Sequence, residues 1–292
     1  MVLPLPLSRF KLRVGGDSTF YVKHLVARFM DTGTEKQKGW KSSDAWLCIL
    51  ALVFFQFALL FGLNSAASSY PAFSHWWAMS FGRGVIYLVQ DALWVFVALW
   101  FSRVKAVRDF LEPAGLRQGV SLFGWCAAWV AIAIALINGY GGSKGWTAGF
   151  SHATHETFSI AWCFFTLAAV LIAPFCEEIA TRGFLYRAFR GRYSPLVATI
   201  IIIGFSSYFH WNSVSRSVFT FSCLAVGWAL LCIVREKTGS LWDCLLCHSV
   251  YNAVGSHLWL PTVIAMLVFL PFIAFPILKK RQPKGRGMHE DA

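Results

Sequence analysis

Eight apolar runs, each near the length of a bilayer crossing, dominate this sequence: residues 45–63, 85–102, 120–138, 158–176, 195–211, 217–234, 241–258 and 260–278. About 20 consecutive apolar residues are needed to cross the hydrocarbon core as a helix. No water is present at that depth to satisfy open backbone groups, so each run closes its hydrogen bonds within itself as a helix. Composition agrees. Only 14% of residues are charged and 57% are hydrophobic, against about 25% charged in a soluble domain. The expected fold class is all-α: a polytopic membrane helix bundle of about eight transmembrane helices. The bundle is expected over residues 45–278, between a basic arm (1–44) and a basic tail (279–292).

The formal net charge of +12 raises the question of nucleic acid, and its distribution argues against that partner. Eight spans place residues 1–44, 103–119, 177–194, 235–240 and 279–292 on one side of the membrane. These segments hold 23 of the 26 Lys and Arg residues, and Arg83, Lys144 and Arg216 fall on the other side. Such asymmetry orients membrane proteins with the basic side in the cytosol. Both termini are therefore expected to be cytosolic, in a multi-pass integral membrane protein with a bacterial inner membrane as the default setting. The expected partners are the lipid bilayer and a membrane-anchored peptide or protein, with no nucleic acid. The first long run follows a polar arm and reads as a retained span rather than a cleaved signal. Within the arm, Phe20–Met30 suggests a short interfacial helix.

Against this background the polar residues at membrane depth stand out, because each costs roughly 2.5–3.5 kcal/mol to insert. Glu177 and Glu178 close an apolar run, with Arg182 one helical turn beyond Glu178. On a helix Glu178 faces Arg182, while Glu177 points about 100° away. The pair is expected to hold the charge balance and to leave Glu177 free for a cavity. His210 ends the run 195–211. The turn Arg190–Pro195 lies midway between Glu177 and His210, so a helical hairpin would bring the two to one depth. His248 and Asn252 are spaced i, i+4 and share a helix face. A carboxylate with a histidine can activate water, and a histidine with an amide can receive an oxyanion. A zinc set of Glu177, His210 and His248 is the alternative, supported by residue type alone.

Other polar features read more plainly. Gln90 and Asp91 are expected as hydrogen-bond partners within the bundle. Asp243 is expected to cap its own helix or meet a cytosolic arginine. His152, His155 and Glu156 suit an outer interface. The eight cysteines lie mostly in apolar runs and act as small hydrophobes. Cys244–His248 matches the C-x-x-C-H haem pattern, but on a membrane helix, where packing is the better reading. No glycine-rich phosphate loop follows a strand pattern.

These residues resemble the CPBP family of CAAX proteases and bacteriocin-processing enzymes. Its E-E-x-x-x-R motif is matched by Glu177-Glu178-Ile179-Ala180-Thr181-Arg182, followed by Gly183-Phe184-Leu185-Tyr186. Its H-x-x-x-N/D motif is matched by His248-Ser249-Val250-Tyr251-Asn252. Its F-x-x-x-H motif is met with one departure: Ser206 stands four residues before His210, and Phe205 one position earlier. The resemblance covers about residues 158–260. It implies an intramembrane endopeptidase in which Glu177 and His210 activate water. His248 and Asn252 would then form the oxyanion site, with Glu178 and Arg182 in support. A metal-independent glutamate mechanism, with no cofactor, is the favoured expectation. The alternatives are a zinc-dependent version and a non-enzymatic binding or immunity protein on the same fold. A proton-coupled transporter lacks visible repeat symmetry.

Overall fold

The computed structural model describes residues 40–70, 72, 80–104, 107–141, 160–215 and 217–255. All regular structure among them is helical. The elements are α1 (Ser42–Ser69), α2 (Ser80–Ser102), α3 (Val107–Leu111) and α4 (Leu122–Gly141). The next helical rod, α5, joins α-helical Ile160–Leu167, π-helical Ala168–Ile172, α-helical Ala173–Glu178, π-helical Ile179–Leu185 and α-helical Tyr186–Arg190. After it come α6 (Pro195–Phe209), α7 (Trp211–Val214), α8 (Val218–Thr238) and α9 (Leu241–Gly255).

Five of these helices, α1, α2, α4, α5 and α8, are long and apolar enough to cross a membrane. The expected run 195–211 appears as the 15-residue helix α6, about 22 Å long at 1.5 Å per residue, and the run 241–258 is helical as α9 through the described residues Leu241–Gly255. The run at 260–278, the arm to residue 39, the basic tail and His152, His155 and Glu156 lie outside the described residues. One boundary differs from expectation by four turns. The run expected to end at residue 176 continues as α5 to Arg190. Glu178 and Arg182 do not end the helix, because each neutralises the other inside it.

Local chemistry sets the helix ends. Ser194 precedes Pro195 at the first position of α6, and its hydroxyl accepts from the Val197 N–H, as expected for proline at a helix start. Ser217 caps α8 by accepting from the N–H groups of Phe219 and Thr220. Gly239 closes α8 in the left-handed region at φ 67°, a position that suits a residue without Cβ. Ser121 caps α4 by accepting from the Gly124 N–H, and its own N–H and hydroxyl donate to Asp243 at 2.7 Å each. Asp243, in the first turn of α9, thus serves the start of α4, and among the described residues it forms no ion pair with an arginine, one of the two roles expected of it.

Two apolar clusters flank α5. One joins α1, α2, α5 and α6 through Leu52, Trp94, Phe184, Phe189, Ile202 and Phe205. The other joins α4, α8 and α9 through Ala127, Ala131, Leu224, Trp228, Leu246 and Val250. Phe175 of α5 packs against both. The alanines of α4 permit close helix approach, the usual device where lipid is as apolar as the helices. Buried Arg235 ties α8 to the loop before α4 by donating to the carbonyls of Arg182, Pro113 and Gly239. Large apolar side chains such as Phe54, Phe57, Phe61, Trp100 and Trp129 face outward, as lipid contact requires.

Candidate active site

Glu177 and Glu178 sit at the junction where the α-helical turn of α5 passes into its seven-residue π segment. Such segments frequently occur at functional sites. Glu178 is fully buried, whereas the Glu177 side chain keeps 17% exposure. Arg182, also buried, places Nη1 3.1 Å from Glu178 Oε1. The same nitrogen donates to the Thr181 hydroxyl, and Nη2 donates to the Trp228 carbonyl of α8. The Thr181 hydroxyl donates in turn to the Glu177 carbonyl at 2.6 Å. A buried charge persists only when it is paired and hydrogen-bonded, and Arg182 meets both conditions.

Helix α9 supplies the facing wall. His248 Nδ1 lies 2.8 Å from Glu178 Oε1, and its Nε2 lies 3.8 Å from Glu177 Oε2. Glu178 therefore contacts both Arg182 on its own helix and His248 across the bundle. One turn along, the Asn252 amide donates to the Ala169 carbonyl in the first π segment of α5. His210 sits at the break between α6 and α7 with φ −101° and ψ 22°, in the sparsely populated bridge region. Its Nδ1 is 3.0 Å from the Ser206 carbonyl, and its ring lies 5.4 Å from the Trp228 indole. His210, His248, Asn252, Trp228 and Tyr251 line one cavity of about 80 Å³ with apolar neighbours from α4 and α8. A water needs roughly 10–15 Å³ of such volume, so several fit.

The six residues singled out in the sequence fall into two groups that meet at His248, and Glu177, expected to face a cavity, is not among the residues lining this one. Direct contacts join Glu177, Glu178, Arg182 and His248, and the cavity joins His210, His248 and Asn252. Among the described residues no three His, Cys, Asp or Glu side chains form a metal-holding group. Of the zinc alternative, Glu177 and His248 touch, and His210 shares only the cavity with His248. Asp91 is almost fully buried, yet neither of its carboxyl oxygens has a hydrogen-bond partner among the described residues. That departs from its expected role as a bundle partner. Cys244 and Cys247 are buried free thiols facing the carbonyls of Leu231 and Gly124, which is packing rather than haem chemistry. Sequence reasoning missed Thr181 and Trp228. Trp228 is one of fourteen tryptophans, and nothing in its neighbours marks it.

Residues 159–254 match the family model described as Type II CAAX prenyl endopeptidase Rce1-like, consistent with the CPBP family. The match takes in every site residue named above and leaves α1 to α4 outside it. No curated protein and no solved structure matches the chain.

Proposed function

With residues 159–254 assigned to a protease family, we propose that this chain is an intramembrane endopeptidase acting on a membrane-anchored peptide or protein. Glu177 is the carboxylate that takes a proton from the attacking water. His210, His248 and Asn252 complete the site around the scissile carbonyl, and Glu178 with Arg182 holds it in place. The single observation that carries this reading is the contact between the two motifs. His248 of H-x-x-x-N reaches both carboxylates of E-E-x-x-x-R, from a helix 70 residues away in sequence. Buried carboxylate and imidazole groups beside a wet-sized cavity are what general base catalysis requires.

The reaction is proposed to need no metal, because its proton acceptors and its amide donor are all side chains of this protein. Dialysis against a chelator is then expected to leave the cleavage rate unchanged, and loss that zinc restores would favour the zinc version. The primary test is Glu177→Gln in purified protein reconstituted in liposomes, with a quenched fluorescent peptide bearing a prenylated cysteine and three further residues. Loss of a general base lowers the rate by about 10²–10⁴-fold. An E177Q protein that cleaves as fast as wild type would end the hydrolase reading and leave a binding protein on the same fold.

A further inference from the structure

We infer that Gly227 of α8 sets the size of the substrate side chain this site accepts, on the leaving-amine side of the scissile bond, and that the side chain is apolar, small and without a ring. The inference rests on the hydrolase reading above and adds a size class of substrate to it. The cavity has a polar end and an apolar end. His210, His248 and Asn252 form the first, around the scissile carbonyl on that reading. Ala131 of α4 with Leu224, Leu230 and Leu231 of α8 form the second. Gly227, Leu230, Tyr251 and Asn252 are only half-buried, so the cavity is not sealed from the outside.

A carbonyl seated at the polar end carries its neighbouring side chains with it, and the adjoining room is apolar. Apolar walls with a few polar groups at one end are the usual make-up of a specificity pocket. Two side chains flank the bond. When the bond follows a prenylated cysteine, the acyl side carries a lipid chain far too large for this cavity. The cavity therefore takes the side chain on the leaving-amine side. A dry apolar cavity of about 150 Å³ binds benzene, a ring of six carbons. At about 80 Å³, this one has room for about three carbons on the same scale. Valine fits that allowance, and the aromatic side chains exceed it.

Gly227 lies on the α8 face that also carries Leu224, Trp228 and Leu231, three and four residues apart. A Cβ added at Gly227 would meet nothing within 4 Å. Gly62, Gly139 and Gly204 share such open surroundings, but of these four glycines Gly227 is the one that lines the cavity. Glycine weakens a helix interior relative to alanine. Neither a positive φ nor a close helix contact calls for it here. What glycine provides at this position is room, and a larger residue there would take that room from the substrate without disturbing the packing of α8.

The test is kcat/KM of the wild-type protein in liposomes on prenylated peptides that differ in the residue after the cysteine: glycine, alanine, valine, phenylalanine or tryptophan. The value is expected to rise from glycine to valine and to fall by about tenfold or more from valine to phenylalanine, since one methylene in an apolar pocket changes it by about 10–200-fold. A phenylalanine peptide cleaved as fast as the valine peptide overturns the inference. Gly227→Val then puts its own carbons where those of the substrate would go. Its valine-to-alanine peptide ratio is expected to fall by about tenfold or more below that of wild type. A ratio taken within one enzyme cancels any loss of folding or activity common to both peptides, so an unchanged ratio overturns the assignment of Gly227. Should G227V fail to fold, Gly227→Ala is read in the same way, with a smaller fall expected. If E177Q cleaves normally, the hydrolase reading fails and this inference falls with it. If E177Q is inactive while wild type cleaves all five peptides alike, only the size limit fails.

Discussion

Helices α1 and α5 have the same length as candidate spans, 28 residues each, and nearly opposite surroundings. Of the most apolar window, 11% is buried within the protein in α1 and 56% in α5. The outer face of α1 presents Leu50, Phe54, Phe57 and Phe61, and Asp44 near its start pairs with Arg103. Helix α5 carries Glu177, Glu178 and Arg182 and is bonded to α8 and α9. By length and hydropathy both qualify as spans, α1 being the more apolar. The difference is that α1 turns most of its apolar surface away from the other described residues, whereas α5 is enclosed by them. The pair in α5 has both members buried, whereas the Asp44–Arg103 pair of α1 leaves its arginine exposed.

The comparison can be broken most directly at Arg182. Arg182→Met leaves Glu178 buried without its cation, which costs about 3–5 kcal/mol in comparable pairs. Thermal unfolding in detergent should fall steeply, and an unchanged midpoint would mean that α5 tolerates an unpaired carboxylate. A smaller effect is expected where α9 meets α4. Asp243→Ala leaves the Ser121 N–H and hydroxyl without their acceptor, at a cost of about 1–3 kcal/mol. The same unfolding assay checks it, and a neutral result would remove Asp243 as the clamp on α4. Smaller again is Tyr251→Phe, which takes away the acceptor of the Asn138 amide and should cost about 0.5–1.5 kcal/mol. At the other end of the scale lies Phe57→Ala on α1. Its side chain is 69% exposed, and such positions change stability by no more than about 0.5 kcal/mol. A large loss there would show that α1 is covered by protein rather than lipid.

Much of the fold was legible because apolar length is a local property. The starts of α1, α4 and α8 fall within a few residues of the runs read from the sequence, and Ser194-Pro195 marks the start of α6 for a local reason. The far end of α5 was not legible. Hydropathy scores Glu178 and Arg182 as two separate costs, whereas their proximity on one helix cancels most of both. The spans at 195–211 and 241–258 were legible as helices, though α6, at 15 residues, falls below a full crossing.

The site divides along the same line. The sequence by itself marked which polar side chains lie within apolar runs, and it paired Glu178 with Arg182, because positions four apart lie about one turn apart on an α-helix. Only the tertiary structure decided that Glu178 also holds His248 and that His248 turns its other nitrogen toward Glu177. It likewise decided that Asp243 serves the start of α4. Those pairings depend on how far each helix rotates about its axis and slides past its neighbours. That is settled by packing over the whole bundle, and no local spacing encodes it.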